Sequence, residues 1–140
     1  MRFLNKQISA KTIRMLKRFL FQNKEILFCY LFGSQTTQNI APESDVDLAI
    51  YFDAGIVKNF SDRRLELTAE ISKFLKREAD ITILNTVPPF LGYVILKEGK
   101  LIFERDQSKR IDFELKKLNE YFDFKPIIKK YNERLLNTDL

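Results

Sequence analysis

Apolar positions along this chain alternate between helical and strand periods. From 9 to 23, Ile13, Leu16 and Leu20 recur at helical spacing, with Met15 and Phe19 beside them and basic residues between. The spacing predicts an amphipathic first helix with Ser9 at its N-cap. Ile26 to Phe32 is an unbroken apolar run bounded by Lys24-Glu25 and Gly33, as expected of a short strand buried on both faces. Gln35 to Asn39 reads as a short polar helix, and Ala41-Pro42-Glu43-Ser44 as a turn. Strict alternation follows, with Val46, Leu48, Ile50 and Phe52 on one face and Asp45, Asp47, Ala49 and Tyr51 on the other.

Asp53-Ala54-Gly55 ends that strand, and a helix is predicted from about Ser61 to Arg77, with Leu67, Ile71, Phe74 and Leu75 as its apolar stripe and Ser61 or Asp62 near its start. Ala79 to Leu84 alternates again, Ile81 and Ile83 inward, Asp80 and Thr82 opposite. Val87-Pro88-Pro89 opens a helix over about Phe90 to Lys97, stopped by Gly99, and Lys100 to Glu104 forms a short closing strand. The remainder is helical: Ile111, Leu115, Leu118 and Phe122 make one stripe, and Ile127 or Ile128, Tyr131 and Leu135 another. Pro126 between them marks a kink or a break. The element order predicts an α+β (α/β) fold, a small mixed sheet covered by helices. It forms a single domain over 1–140, with a core of about 9–104 and a helical tail of about 106–138.

Length and composition narrow the chemistry. At 140 residues, 45% hydrophobic and 31% charged, the chain is sized to bury a core without disulfides or structural metal. No apolar run reaches the roughly 18 to 20 residues of a membrane span, and no signal-peptide pattern opens the chain, so a cytoplasmic location is expected. Cys29 sits inside LFCYLF, the setting of a buried, inert thiol. Histidine is absent, which removes imidazole bases, Ser-His triads and imidazole zinc sites together. Any metal must then be held by oxygen, which points to Mg²⁺ or Mn²⁺. The net charge of +5 is spread over several predicted helices, which fits solvated helix faces or, as the alternative, attraction to an anionic ligand or an acidic partner. No strand platform interleaves aromatic with basic residues, which argues against direct nucleic-acid recognition.

Against that background the aspartates stand out. Asp45 and Asp47 project from one strand face, and two carboxylates so placed repel each other unless a cation lies between them. Asp80 adds a third carboxylate at the start of another alternating strand. Three such groups on neighbouring strands suit divalent ions that support in-line displacement at phosphorus, and the third is also placed to deprotonate an attacking hydroxyl. Gly33 lets the backbone approach a phosphate closely, and Ser34 offers a hydroxyl and an amide N–H. Each feature alone is common; their order and strand phase together carry the signal.

Gly33-Ser34, ten residues, then Asp45-Val46-Asp47 resembles the signature of the DNA polymerase β-like nucleotidyltransferase superfamily, and Asp80 in Ala-Asp-Ile-Thr-Ile matches its third acidic position. The resemblance implies a nucleotidyltransferase fold in which Asp45, Asp47 and Asp80 hold Mg²⁺, two ions in that family, while Gly33 and Ser34 grip the triphosphate of ATP. The opening helix, the segment Lys97 to Phe103 and the helical tail extend the likeness to minimal nucleotidyltransferases, the MntA-like antitoxins paired with HEPN-domain toxins of the HepT type. That branch transfers AMP from ATP to a tyrosine of its partner toxin, which implies a hetero-oligomer. One residue departs from the pattern: Gln38 stands about where many relatives carry a glycine. Phe124 and Tyr131 in the tail read either as core packing under the last helix or as toxin-docking residues. Two further functions fit the same residues. One is an adenylyltransferase for a small molecule such as an aminoglycoside; the other is a catalytically silent antitoxin that neutralises its partner by binding alone.

Overall fold

The computed structural model describes residues 9–33 and 46–138. In chain order they form α1 (Ala10–Gln22), β1 (Ile26–Phe32), β2 (Val46–Phe52), α2 (Phe60–Leu75), β3 (Ala79–Ile83), a 3-10 turn (Leu84–Thr86), α3 (Pro89–Glu98), β4 (Lys100–Glu104) and α4 (Gln107–Thr138). The polar helix expected at Gln35 to Asn39, the turn at Ala41 to Ser44, and Gln38 lie outside the described residues.

Local signals set most boundaries. The Ser9 hydroxyl accepts from the Thr12 N–H at 3.1 Å and caps α1 as expected. Asn59 caps α2, its side chain accepting from the Asp62 N–H at 3.0 Å, and Ser61 and Asp62 lie in the first turn, near the helix start as expected. Pro89 opens α3 from a position that needs no amide hydrogen, and Gly99 closes it.

The four strands lie in the order β3-β2-β1-β4. β2 pairs antiparallel with β1 and parallel with β3, and β4 pairs antiparallel with β1, so the sheet is mixed as the element order predicts. Central β1 is buried from Ile26 through Leu31. On one face Val46, Leu48, Ile50, Phe52 and Ile81 pack with Leu16 and Leu20 of α1 and Leu67 and Ile71 of α2. On the other, Phe28, Tyr30 and Ala49 pack with Ile95 of α3 and Phe113 of α4. The alternation read in β2 is therefore a division between two cores.

One expectation for the last helix is narrowed and another fails. Pro126 lies inside a helix that runs from Gln107 to Thr138, so of the kink or break expected there the break is absent. The stripe Ile111, Leu115, Leu118 and Phe122 is not the packing face: Ile111, Leu115 and Phe122 are exposed, whereas Phe113 and Lys117 are buried. The Lys117 stem lies along Gly92 of α3, where an added Cβ would sit 3.0 Å from the lysine Cδ. Its ammonium donates to the Val87 carbonyl at 2.8 Å and pairs with Glu120 at 3.1 Å. A lysine is thus part of the packing surface, with its charge satisfied at the rim. Tyr131 is 62% exposed and does not pack under the helix, while the Phe124 side chain lies outside the described residues.

Candidate active site

Strand direction brings the sequence-distant acidic positions to one end of the sheet. β1 runs toward that end and finishes at Phe32-Gly33; β2, antiparallel to it, starts there; β3, parallel to β2, starts there too. Asp47 is consequently the register partner of Phe32 on one side and of Asp80 on the other. Both aspartates project from the face shared with Ala49, Tyr30 and α4, opposite the core of α1 and α2. Asp47 is partly buried and Asp80 exposed.

Gly33 is tied to this arrangement twice. Its φ of +80° belongs to the region that glycine adopts freely. A Cβ placed on it would fall onto the Asp47 carboxylate, 2.8 Å from Cγ and 2.9 Å from Cβ, with Oδ2 closer still. The glycine therefore leaves the volume into which the Asp47 carboxylate fits.

The structure brings Gly33, Asp47 and Asp80 together. Ser34 and Asp45 lie outside the described residues. Among the described residues no three His, Cys, Asp or Glu side chains cluster as a ready-made metal centre. What Asp47 and Asp80 provide is an oxygen donor pair on adjacent strands, in a chain with no imidazole, and that donor chemistry fits Mg²⁺ or Mn²⁺.

Sequence reading missed the polar network on the same face. The Tyr30 hydroxyl donates to Glu114 Oε2 across 84 positions of sequence. Arg110 donates to Glu114 Oε1 at 2.8 Å and also pairs with Glu104. Burial first, and then the bond to Glu114, push the Tyr30 phenol far above its ordinary range, so it stays a donor. The bond to Glu104, against a smaller opposing effect of burial, holds the Arg110 guanidinium more firmly protonated than usual. Only the Tyr30–Glu114 bond is long-range, and periodicity carries no trace of it; Arg110 and Glu114 stand at i,i+4 spacing on α4, a pair that the sequence does signal. On the opposite face, Arg105 donates to the Leu20, Phe21 and Asn23 carbonyls at the end of α1 and to Ile26. A cation there complements the negative helix end.

The family model described as polymerase beta, nucleotidyltransferase, matches residues 14–108. The chain belongs to that nucleotidyltransferase family. The match takes in Gly33, Asp47 and Asp80, so this family's sequence pattern extends over the sheet end where those residues meet. No curated protein matches the chain. Among solved structures, a toxin–antitoxin structure with AMP-PNP aligns with TM-score 0.72 and 19% identity, covering 89% of this nucleotidyltransferase and 98% of the matched chain. The toxin–antitoxin MntA-HepT aligns with TM-score 0.70 and 18% identity, covering 91% and 99%. A complex of tri-AMPylated Shewanella oneidensis HEPN toxin with MNT antitoxin aligns with TM-score 0.67 and 19% identity, covering 97% and 99%. At these identities the likeness establishes a shared fold. Among the described residues no helix is long and apolar enough to cross a membrane.

Proposed function

We propose that this nucleotidyltransferase is a minimal, MntA-like antitoxin that transfers AMP from ATP to a tyrosine of a HEPN-domain, HepT-like toxin with which it forms a hetero-oligomer. The observation that carries the reading is the register pairing of Asp47 with Asp80 against Gly33, in a chain of this family. The structural likeness to toxin–antitoxin complexes, one with an ATP analogue and one with an AMP-modified toxin, supports the choice of nucleotide and acceptor.

In this reading Asp45, Asp47 and Asp80 hold Mg²⁺, with Asp45 assigned by its sequence spacing alone. A divalent ion held there would supply positive charge against the triphosphate. Gly33 and Ser34 bring backbone N–H groups and a hydroxyl to the phosphates. Asp80, exposed at the start of β3, accepts the proton of the incoming tyrosine hydroxyl. The tyrosine oxygen bonds to the α-phosphorus as the bond to the bridging oxygen breaks, and pyrophosphate leaves with its electron pair.

Incubation with Mg²⁺, ATP labelled at the α-phosphate and the product of the adjacent reading frame tests the proposal. Label is expected on the partner protein and is lost with Asp47→Asn. Label on a small molecule instead would identify an adenylyltransferase of the aminoglycoside type. Neutralisation of the partner without label on anything would identify a silent antitoxin.

A further inference from the structure

The row Ile111, Leu115, Leu118 and Phe122 on α4 is apolar without interruption, yet it faces away from the core. Ile111 is 40%, Leu115 55% and Phe122 54% exposed. The buried pair Phe113 and Lys117 lies roughly 150° away around the helix at about 3.6 residues per turn. Phe90, exposed at the start of α3, extends the surface: its ring lies 6.4 Å from Tyr121, which meets Phe122 at 5.7 Å between centroids. Polar residues close the row at both ends, Ser108 before Ile111 and Lys125 beyond Phe122. Among the described residues nothing covers this apolar stripe, which is about 16 Å long and lies on the outer side of a helix, where charged and polar positions are the rule.

We propose that a second copy of this chain covers the row, through a two-fold antiparallel pairing of α4 with α4. The steps between the four positions are four, three and four residues, the same read in either direction. A two-fold axis between Leu115 and Leu118 therefore sets Ile111 of each copy against Phe122 of the other, and Leu115 against Leu118. One surface then complements itself, as an isologous contact requires. The flanks agree with this register. Asp112 of one copy comes beside Asn119 of the other, a carboxylate that accepts from an amide, and Lys125 comes beside Ser108, so no like charges meet along the seam. The open parts of Ile111, Leu115, Phe122 and Phe90 amount to on the order of 400 Å² per copy, as large as the main apolar patch of many monomers. With the polar flanks, two copies bury about 1,000 Å², near the lower limit for a specific interface, which makes a weak dimer that separates on dilution.

Sedimentation equilibrium over a concentration series reaching about 0.5 mM is expected to show the wild-type mass rise from one chain toward two. Leu115→Glu, at a position exposed in the single chain, is expected to keep the circular dichroism and melting of dilute wild type and to raise the dissociation constant about tenfold or more. The register has its own readout. Asp112 and Asn119 stand two turns apart on one helix, too far for a disulfide within a chain. Oxidation of the double variant Asp112→Cys with Asn119→Cys is expected to join two copies, whereas neither single variant cross-links. Cys29 is buried and contributes no bond. Cross-linking of a single variant would overturn the antiparallel register. Dimerisation unchanged in Leu115→Glu, or a wild-type mass of one chain throughout, would overturn the pairing itself. If that monomeric wild type bound the product of the adjacent reading frame and Leu115→Glu did not, the row would belong to that partner instead.

Discussion

At the scale of single residues, Gly33 makes the most exacting demand. Gly33→Ala meets both a positive φ and the Asp47 carboxylate, and is expected to cost about 1–3 kcal/mol of stability and to abolish AMP transfer. Urea unfolding beside the labelling assay checks both effects; an alanine variant with wild-type transfer would contradict the cradle. Cys29 is fully buried and burial pushes its thiol well above the usual range, so a disulfide-exchange reagent should modify it only after denaturant is added. The same physics sets an alkaline limb. The unfolded chain gives up protons near the ordinary thiol value of 9.0 and phenol value of 10.0, while folded Cys29 and Tyr30 retain theirs. The folded state then binds more protons, so stability falls as pH rises past these values. Tyr30→Phe should flatten the upper part of that fall in urea melts followed against pH. Asp47 and Asp80 were legible in the sequence because alternation puts them in phase on their strands. Glu114 was not, because its partner Tyr30 lies 84 positions away.

At the scale of elements, α4 explains both a success and a failure of pattern reading. Its helicity and extent follow from composition, but its orientation does not. Two stripes compete on this helix: Ile111, Leu115, Leu118 and Phe122 form an uninterrupted apolar row, whereas Phe113, Lys117 and Tyr121 form a row broken by a charge. Yet Phe113 meets Phe28 and Tyr51 at 5.6 and 5.7 Å between ring centroids, and Lys117 lays its stem across Gly92. Aromatic packing and a buried lysine stem outweigh the simpler stripe. Phe113→Ala should therefore cost about 3–5 kcal/mol, whereas exposed Leu115→Ala should stay within about 0.5 kcal/mol of wild type. Chemical denaturation of the two variants checks the orientation, and a reversal of their order would contradict it.

At the scale of the molecule, the mixed sheet is what makes the candidate site. An antiparallel step from β1 to β2 and a parallel step from β2 to β3 place the end of one strand and the starts of two others together. The element order suggests such a sheet, but the register that opposes Asp47 to Asp80 emerges only from the folded chain. The central claim is that this sheet end moves a nucleotidyl group rather than a terminal phosphate. Parallel reactions with ATP labelled at the α-phosphate and at the γ-phosphate, each with Mg²⁺ and the partner protein, test it most directly. The α-label is expected on the partner and the γ-label in released pyrophosphate. Retention of the γ-label on the partner, or of neither label, would contradict the account.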